Sequence, residues 1–362
     1  MPRIVVDATA VSARPTGAGR VLSSLLAAFP SVDPALAYVA LATSEGAAVL
    51  RGVAPAVQVQ EVSAGTGLAW ELRGAAAAAA AADGDLLFTI RELVGRRSPP
   101  TVLHVFEPPS YRLRVPRRRG ELKAAAKDAL LASAFVRSAR RAAAVTAGSE
   151  TTATWLRGHG VDASVVLPGL DEAFFTPGDA ATREEPYLFH VASGDHRDLT
   201  EAILESLAVL DSEAPLLVVA GMPGWRREQI AARARSLGIA GRLEFLGWVS
   251  DAELRAHYRG ALAVVQPSRY EGYGGYASLE AMALGTPVVA VRAPGATEAL
   301  EAAALLVDTA APHLLADAIR RVADDSELRV ELVESGRRRV TPLRWERAAT
   351  ELAAVFRRTL GV

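Results

Sequence analysis

The sequence predicts two doubly wound, Rossmann-like α/β domains, and three observations carry that expectation. Its 362 residues are enough for two full cores. Half of the residues are hydrophobic, and they fall into short apolar runs separated by helical stretches. Short apolar strands that alternate with helices imply parallel sheets covered on both faces. In the first half, strands are expected at 3–7, 38–43, 86–90, 101–106, 143–147 and 164–167, with a helix over 20–29. The run of alanines from Ala75 to Ala82, flanked by Glu71, Arg73 and Asp83, also reads as a helix. In the second half, strands are expected at 187–192, 215–221, 243–247, 261–266, 287–291 and 304–307. Helical patterns lie between them at 199–210, 226–237, 252–258 and 278–283. A polar stretch at 179–185, after Thr176-Pro177-Gly178, reads as the linker. The expected domains are therefore 1–178 and 179–343. The segment 343–360 carries Trp345, Ala349, Leu352 and Val355 at amphipathic helical spacing.

Bulk properties remove several function classes. Forty basic and 41 acidic residues leave a net charge of −1, which gives neither a nucleic-acid-binding balance nor an acidic tail. There is no cysteine, so disulfides and thiolate metal sites are excluded, in keeping with a cytoplasmic protein. The opening apolar run, Ile4 to Val6, is short and stops at Asp7, unlike a secretory leader. No apolar segment reaches membrane-spanning length. A basic stretch, 117–141, reads either as a solvated helix face or as a surface for anionic lipid headgroups at the inner membrane face.

The chemistry concentrates between Gln266 and Val289. A buried-strand pattern ends at Pro267, and Glu271 follows it. Gly272, Gly274 and Gly275 then let the backbone approach a ligand without Cβ atoms in the way. A helix beginning near Tyr276 would turn its free N–H groups and positive dipole end toward that ligand. Glu280 lies about one turn inside this helix. The pattern suits a ligand with an anion at the helix start and hydroxyl groups for the carboxylates, and a nucleotide sugar offers both. Glycines also follow the first strand, at Gly17 and Gly19. They serve either a plain tight turn or close approach of helix N–H groups to a phosphate. Leu22 stands where a Rossmann fingerprint has its third glycine, which disfavours a dehydrogenase.

The stretch Glu271-Gly-Tyr-Gly-Gly-Tyr-Ala-Ser-Leu-Glu280-Ala-Met-Ala-Leu-Gly-Thr-Pro-Val-Val resembles the donor-binding signature of retaining glycosyltransferases of family 4, the glycosyltransferase group 1-like enzymes. Their usual form is Glu-Gly-Phe-Gly-Leu-Pro-x-Leu-Glu-Ala-Met-Ala-x-Gly-Thr-Pro-Val-Val, and this chain has one residue more between its glutamates. Gly247-Trp-Val-Ser-Asp-Ala-Glu-Leu254 and Gly221 to Trp225 are also similar to family segments. The likeness is strong over 187–360. In the first half it rests on Asp7, the loop of residues 16–20, His104 and Gly148-Ser-Glu150.

The resemblance implies the GT-B arrangement, two Rossmann-like domains facing across a deep cleft, with the C-terminal helix (344–362) returning to the first. It implies transfer of a hexosyl unit from a nucleotide-diphospho-sugar to a hydroxyl acceptor, with retention by front-face displacement and without metal or cofactor. The implied catalytic residues are Glu271, at the donor sugar, Arg197, at the diphosphate, and His104, facing sugar and acceptor. The implied donor-binding set is Gly17, Gly19, Arg197, Trp248, Val249, Glu271, Gly272, Tyr273, Gly274, Gly275, Tyr276, Ala277 and Glu280, with Glu280 on the ribose. Each has a plainer alternative: a loop arginine at 197, a core histidine at 104, a dipole-complementing glutamate at 280. A nucleotide-sugar epimerase or hydrolase of the same fold, and a non-catalytic sugar-nucleotide-binding subunit, remain as alternatives. The acceptor, whether carbohydrate, lipid-linked or small molecule, and the base of the donor stay open.

Overall fold

The computed structural model describes residues 1–14, 16–63, 67–109, 122–195 and 197–362; the side chains of 122–125, 127 and 128 lie outside that description. The basic run at 117–121, part of the expected lipid-contact stretch, therefore lies outside the described residues, as do Pro15 and His196. Among the described residues no helix is long and apolar enough to cross a membrane.

The chain divides into two compact units, Met1–Gly169 with Leu343–Val362, and Leu170–Pro342. The segment 170–178, read from sequence as the end of the first domain, packs with the second unit. The Arg255 guanidinium lies 5.9 Å from the Phe174 ring centre, and Arg259 Nη2 donates to the Thr176 carbonyl at 2.7 Å.

The first unit runs β1 (Arg3–Asp7), α1 (Gly17–Val32), β2 (Ala37–Ala42), α2 (Ser44–Val53), β3 (Gln58–Glu61), α3 (Ala75–Ala81), β4 (Leu86–Thr89), β5 (Thr101–Val105), α4 (Leu122–Ala139), β6 (Ala144–Ala147), α5 (Glu150–Gly158) and β7 (Ser164–Val165). Its seven strands are all parallel, in the order β3-β2-β1-β4-β5-β6-β7. The order reverses between β1 and β4, where loops leave the sheet in opposite directions and open a crevice. Thr16, Thr43 and Ser149 cap α1, α2 and α5 by accepting N–H groups of the first turn. Both sheet faces are apolar, with Val5, Val39, Leu41 and Leu87 against α3 on one side of the sheet.

The second unit runs β8 (Tyr187–Val191), α6 (Thr200–Leu210), β9 (Leu216–Ala220), α7 (Gly224–Ser236), β10 (Leu243–Gly247), α8 (Asp251–Gly260), β11 (Ala263–Gln266), α9 (Tyr276–Leu284), β12 (Val288–Val291), α10 (Ala296–Leu300), β13 (Leu305–Val307), α11 (Pro312–Asp324) and α12 (Ser326–Val340). Its six strands are parallel, in the order β10-β9-β8-β11-β12-β13. Here the order reverses between β8 and β11. Ser250 and Glu253 form a capping box on α8, and Gly285 ends α9 in the left-handed conformation. The last helix, α13 (Trp345–Leu360), returns to the first unit and packs along α1. Arg357 there holds Asp33 with two hydrogen bonds of 2.7 and 2.8 Å. That pairing keeps the Asp33 carboxyl below its usual range.

Candidate functional site

In the second unit, the loops leaving β8 and β11 meet where the strand order reverses, the place where open parallel sheets bind ligands. They are stitched backbone to backbone. Leu199 N donates to Pro267 O at 3.2 Å, Arg269 N donates to Arg197 O at 3.1 Å, and Asp198 bridges Ser268. The β8 loop folds around Asp198. One of its oxygens, Oδ2, accepts Ser193 N, Ser193 Oγ and Gly194 N at 2.8, 2.9 and 3.0 Å. Asp195 then accepts the Arg197 N–H at 3.0 Å. The Arg197 guanidinium reaches over the Tyr270 ring, 5.9 Å from its centre. Arg197 and the Glu271 loop, far apart in sequence, are thus one local structure.

His190 supports this junction from within the sheet. It is fully buried on β8, its Nδ1 lies 2.9 Å from the Val265 carbonyl, and its Nε2 lies 3.0 Å from Thr200 Oγ1. The carbonyl accepts only, so Nδ1 carries the proton and Nε2 accepts from the threonine hydroxyl. Burial pushes the imidazole below its usual pKa.

Glu271 is half-buried ahead of α9, and Ser268 Oγ donates to its Oε1 at 2.5 Å. A Cβ placed on Gly275 would stand 3.0 Å from the Glu271 carboxyl carbon, so the carboxylate lies across the glycine that begins the helix. Gly274 and Gly275 both have positive φ, 60° and 75°. Two consecutive glycines in that region turn the chain before α9 starts at Tyr276, and Gly272, Tyr273 and Ala277 flank the turn. The loop is anchored to the segment after β12: Glu271 N donates to Pro294 O and Gly274 N to Gly295 O, both at 2.9 Å. Glu280 is 5% exposed, and its Oε2 accepts the Tyr258 hydroxyl at 2.9 Å.

Trp248 and Val249 stand apart, in the turn after the edge strand β10. Trp248 is 60% exposed, while Ser250, two residues on, is engaged in the α8 cap.

The other predicted residues belong to the first unit. Gly19 has a packing reason to be glycine, because a Cβ there would come within 2.7 Å of the Ala10 carbonyl; its N–H is taken by Thr16 Oγ1 at 3.1 Å. A Cβ on Gly17 would meet nothing within 4 Å. His104, on β5, is buried, and its Nδ1 lies 2.9 Å from Thr146 Oγ1. Burial pushes its pKa down to about 4, so the ring is neutral near pH 7.

His104 lines a cavity of about 360 Å³ with Ala10, Ala18, Glu71 and Arg91, at the β1/β4 reversal. Behind it, buried Asp7 accepts Thr9 Oγ1 at 2.6 Å and Trp70 Nε1 at 3.0 Å. Arg91 Nη2 donates to Thr9 Oγ1 at 2.9 Å. Sequence reasoning missed Glu71, Arg91, Asp198 and Tyr258, which no contiguous motif carries. Among the described residues, no three histidine, aspartate or glutamate side chains cluster as a metal site requires.

Two parallel-sheet Rossmann-like units, each with polar groups gathered at its strand-order reversal, place the chain in the GT-B class. Residues 177–339, within the second unit, match the model of the family of glycosyl transferases group 1. Over 217 residues the chain is 31% identical to a D-inositol 3-phosphate glycosyltransferase of Jonesia denitrificans, covering 54% of this chain and 51% of that protein. Over 212 residues it is 35% identical to the protein of the same name from Geodermatophilus obscurus, covering 53% and 46%. The chain thus spans about half the length of the curated relatives it matches. Among solved structures, a sucrose-phosphate synthase from Thermosynechococcus elongatus superposes with a TM-score of 0.83 over the whole of both chains, at 20% identity. Anabaena HepE in complex with UDP-glucose superposes with a TM-score of 0.74 at 18% identity, over 98% and 99% of the two chains. These likenesses establish the fold.

Proposed function

We propose that the chain is a retaining hexosyltransferase that moves a sugar from a nucleotide-diphospho-sugar to a hydroxyl acceptor. The observation that carries this reading is the junction in the second unit: a carboxylate lying across a glycine at a helix start, joined by backbone hydrogen bonds to the loop of Arg197. The α9 N-terminus and the Arg197 guanidinium suit a diphosphate, and Glu271 suits the sugar hydroxyls and the positive charge that grows on the ring. Glu280 would receive the ribose hydroxyls in place of the Tyr258 hydroxyl. HepE was solved with UDP-glucose, which supports a donor of this kind.

In the reaction, the bond from the anomeric carbon to the phosphate oxygen breaks and its electron pair leaves with the nucleoside diphosphate. The acceptor oxygen forms the new bond from the same face and gives its proton to the departing phosphate oxygen. Arg197 neutralises the charge that develops on that oxygen, and the scheme asks for neither a metal nor a protein base. The first unit, with His104 and the Gly17 loop, presents the acceptor. We place the reaction in the cytoplasm, with a lipid-linked acceptor at the inner membrane face among the candidates.

Product analysis tests the reading. Incubation with UDP-, GDP-, ADP- and TDP-sugars and a panel of hydroxyl acceptors should give a glycosylated acceptor with the donor's anomeric configuration. Free or isomerised sugar without an acceptor product would identify a hydrolase or epimerase. Nucleotide binding without any product would identify a binding subunit.

A further inference from the structure

The cavity at the β1/β4 reversal of the first unit has the marks of a built site. Among the described residues, Arg91 Nε is buried with no hydrogen-bond partner. The His104 ring is 5% exposed, and with Nδ1 engaged by Thr146, its Nε2 has no partner among the described residues. Glu71 faces the same space, half-buried, with Oε2 accepting Leu93 N at 3.1 Å. It sits in a π-helical turn, Trp70–Gly74, immediately before α3, and such turns concentrate at functional sites. The cavity is thus lined by a guanidinium group, an imidazole nitrogen and a carboxylate. Vicinal hydroxyls satisfy such a set, since each hydroxyl can donate once and accept. Its volume of about 360 Å³ stands at the low end of the range for ligand pockets, the size for one ring rather than an oligosaccharide.

We propose that this cavity is an acceptor subsite for a single uncharged polyhydroxyl ring, a sugar or cyclitol that carries no phosphate, held by Glu71, Arg91 and His104. The assignment rests on the transferase reading above and narrows its acceptor. Charge argues against a phosphate. Arg91 already faces Asp7, its Nε 4.0 Å from the buried Asp7 Oδ2, and Glu71 lines the same space. Among the described residues, a phosphate dianion would meet one guanidinium, Arg91, against the lining carboxylates of Glu71, Glu92 and Glu107, with Asp7 behind. Burial, with the charges of Glu92 and Asp7 adding to it, holds the Glu71 carboxyl above its usual pKa, so this wall already resists further negative charge. In this the chain departs from its curated relatives, whose name specifies inositol 3-phosphate.

Calorimetric titration of the full chain with myo-inositol and glucose, each against its monophosphate, tests the assignment, with and without a nucleoside diphosphate. At least one uncharged ring should bind about tenfold or more tightly than its monophosphate, and Glu71→Gln should weaken that binding about tenfold, as loss of a charged hydrogen-bond partner does. Nucleotide affinity should not move in that variant, which separates a lost acceptor contact from misfolding. Arg91→Lys, which keeps the charge and removes the planar fork of guanidinium donors, should weaken the ring similarly. Tighter binding of the monophosphates, binding of neither form, or unchanged ring affinity in Glu71→Gln would overturn the proposal. A chain that binds the ring but no nucleotide contradicts the transferase reading and leaves the cavity's ligand assignment standing.

Discussion

Glu271 is held by its surroundings rather than by its own rotamer preferences. Ser268 donates to it, Gly275 leaves room for its carboxylate, and Gly295 must also lack a side chain, because a Cβ there would run into the Glu271 carbonyl. Gly275→Ala combines a strained positive φ with a Cβ pressed on the carboxylate. We expect it to lower transfer by about tenfold, since the strained backbone and a carboxylate pushed by a few tenths of an ångström both act at a reacting group. Circular dichroism should remain native, and wild-type turnover in this variant would show that the carboxylate's position does not matter. Glu271 and Glu280 were legible in the sequence because both lie in one contiguous motif. Asp198, Glu71 and Arg91 were not, because their roles depend on which strands are neighbours. Arg91 becomes notable only when β4 is seen beside β1, and Asp198 only when its loop closes on Ser193 and pairs with Ser268.

Among the elements, strands with an unbroken apolar run are read to within a residue or two, as at β9 and β12. The strand β3, Gln-Val-Gln-Glu, was missed because it is an edge strand with no fully buried residue, so it lacks the hydrophobic signal of a central one. The helix at α1 begins earlier and ends later than its apolar core suggested, since Thr16 caps it and Pro30 lies in its last turn. The C-terminal helix α13 is legible from its stripe of apolar residues, and the resemblance gives its return to the first domain, but neither gives the residues it docks on. Its anchor is Phe356, fully buried, with ring centres 5.6 Å from Phe29 and 5.4 Å from Phe88. Truncation to alanine should cost about 3–5 kcal/mol by transfer and cavity formation. Denaturant unfolding of Phe356→Ala should show that loss, and a change under about 1 kcal/mol would mean that the helix docks by other contacts.

For the whole molecule, two buried histidines, one in each sheet, tie folding to pH. His104 keeps its pKa near 4 in the folded chain against 6.5 for the free side chain. Above pH 6.5 neither state binds the proton and nothing is lost. As pH falls from 6.5 toward 4, the unfolded chain takes up a proton that the folded chain refuses, so stability drops by about 3 kcal/mol for this group. His190, lowered by the same burial, acts in the same direction. Unfolding at about pH 7.5 and about pH 5 should show this decline, and His104→Gln should make it shallower; an unchanged slope would place His104 in solvent. The two-domain plan itself was readable from the alternation of strands and helices, whereas the strand orders that create the two crevices were not. The claim that the second crevice grips the diphosphate of a donor sugar is tested most directly by calorimetric titration of wild type, Arg197→Ala and Glu271→Gln with the four nucleotide sugars. At least one donor should bind the wild type, and each variant should lose about tenfold or more in affinity. Equal affinity in all three proteins, or no binding of any donor, would contradict it.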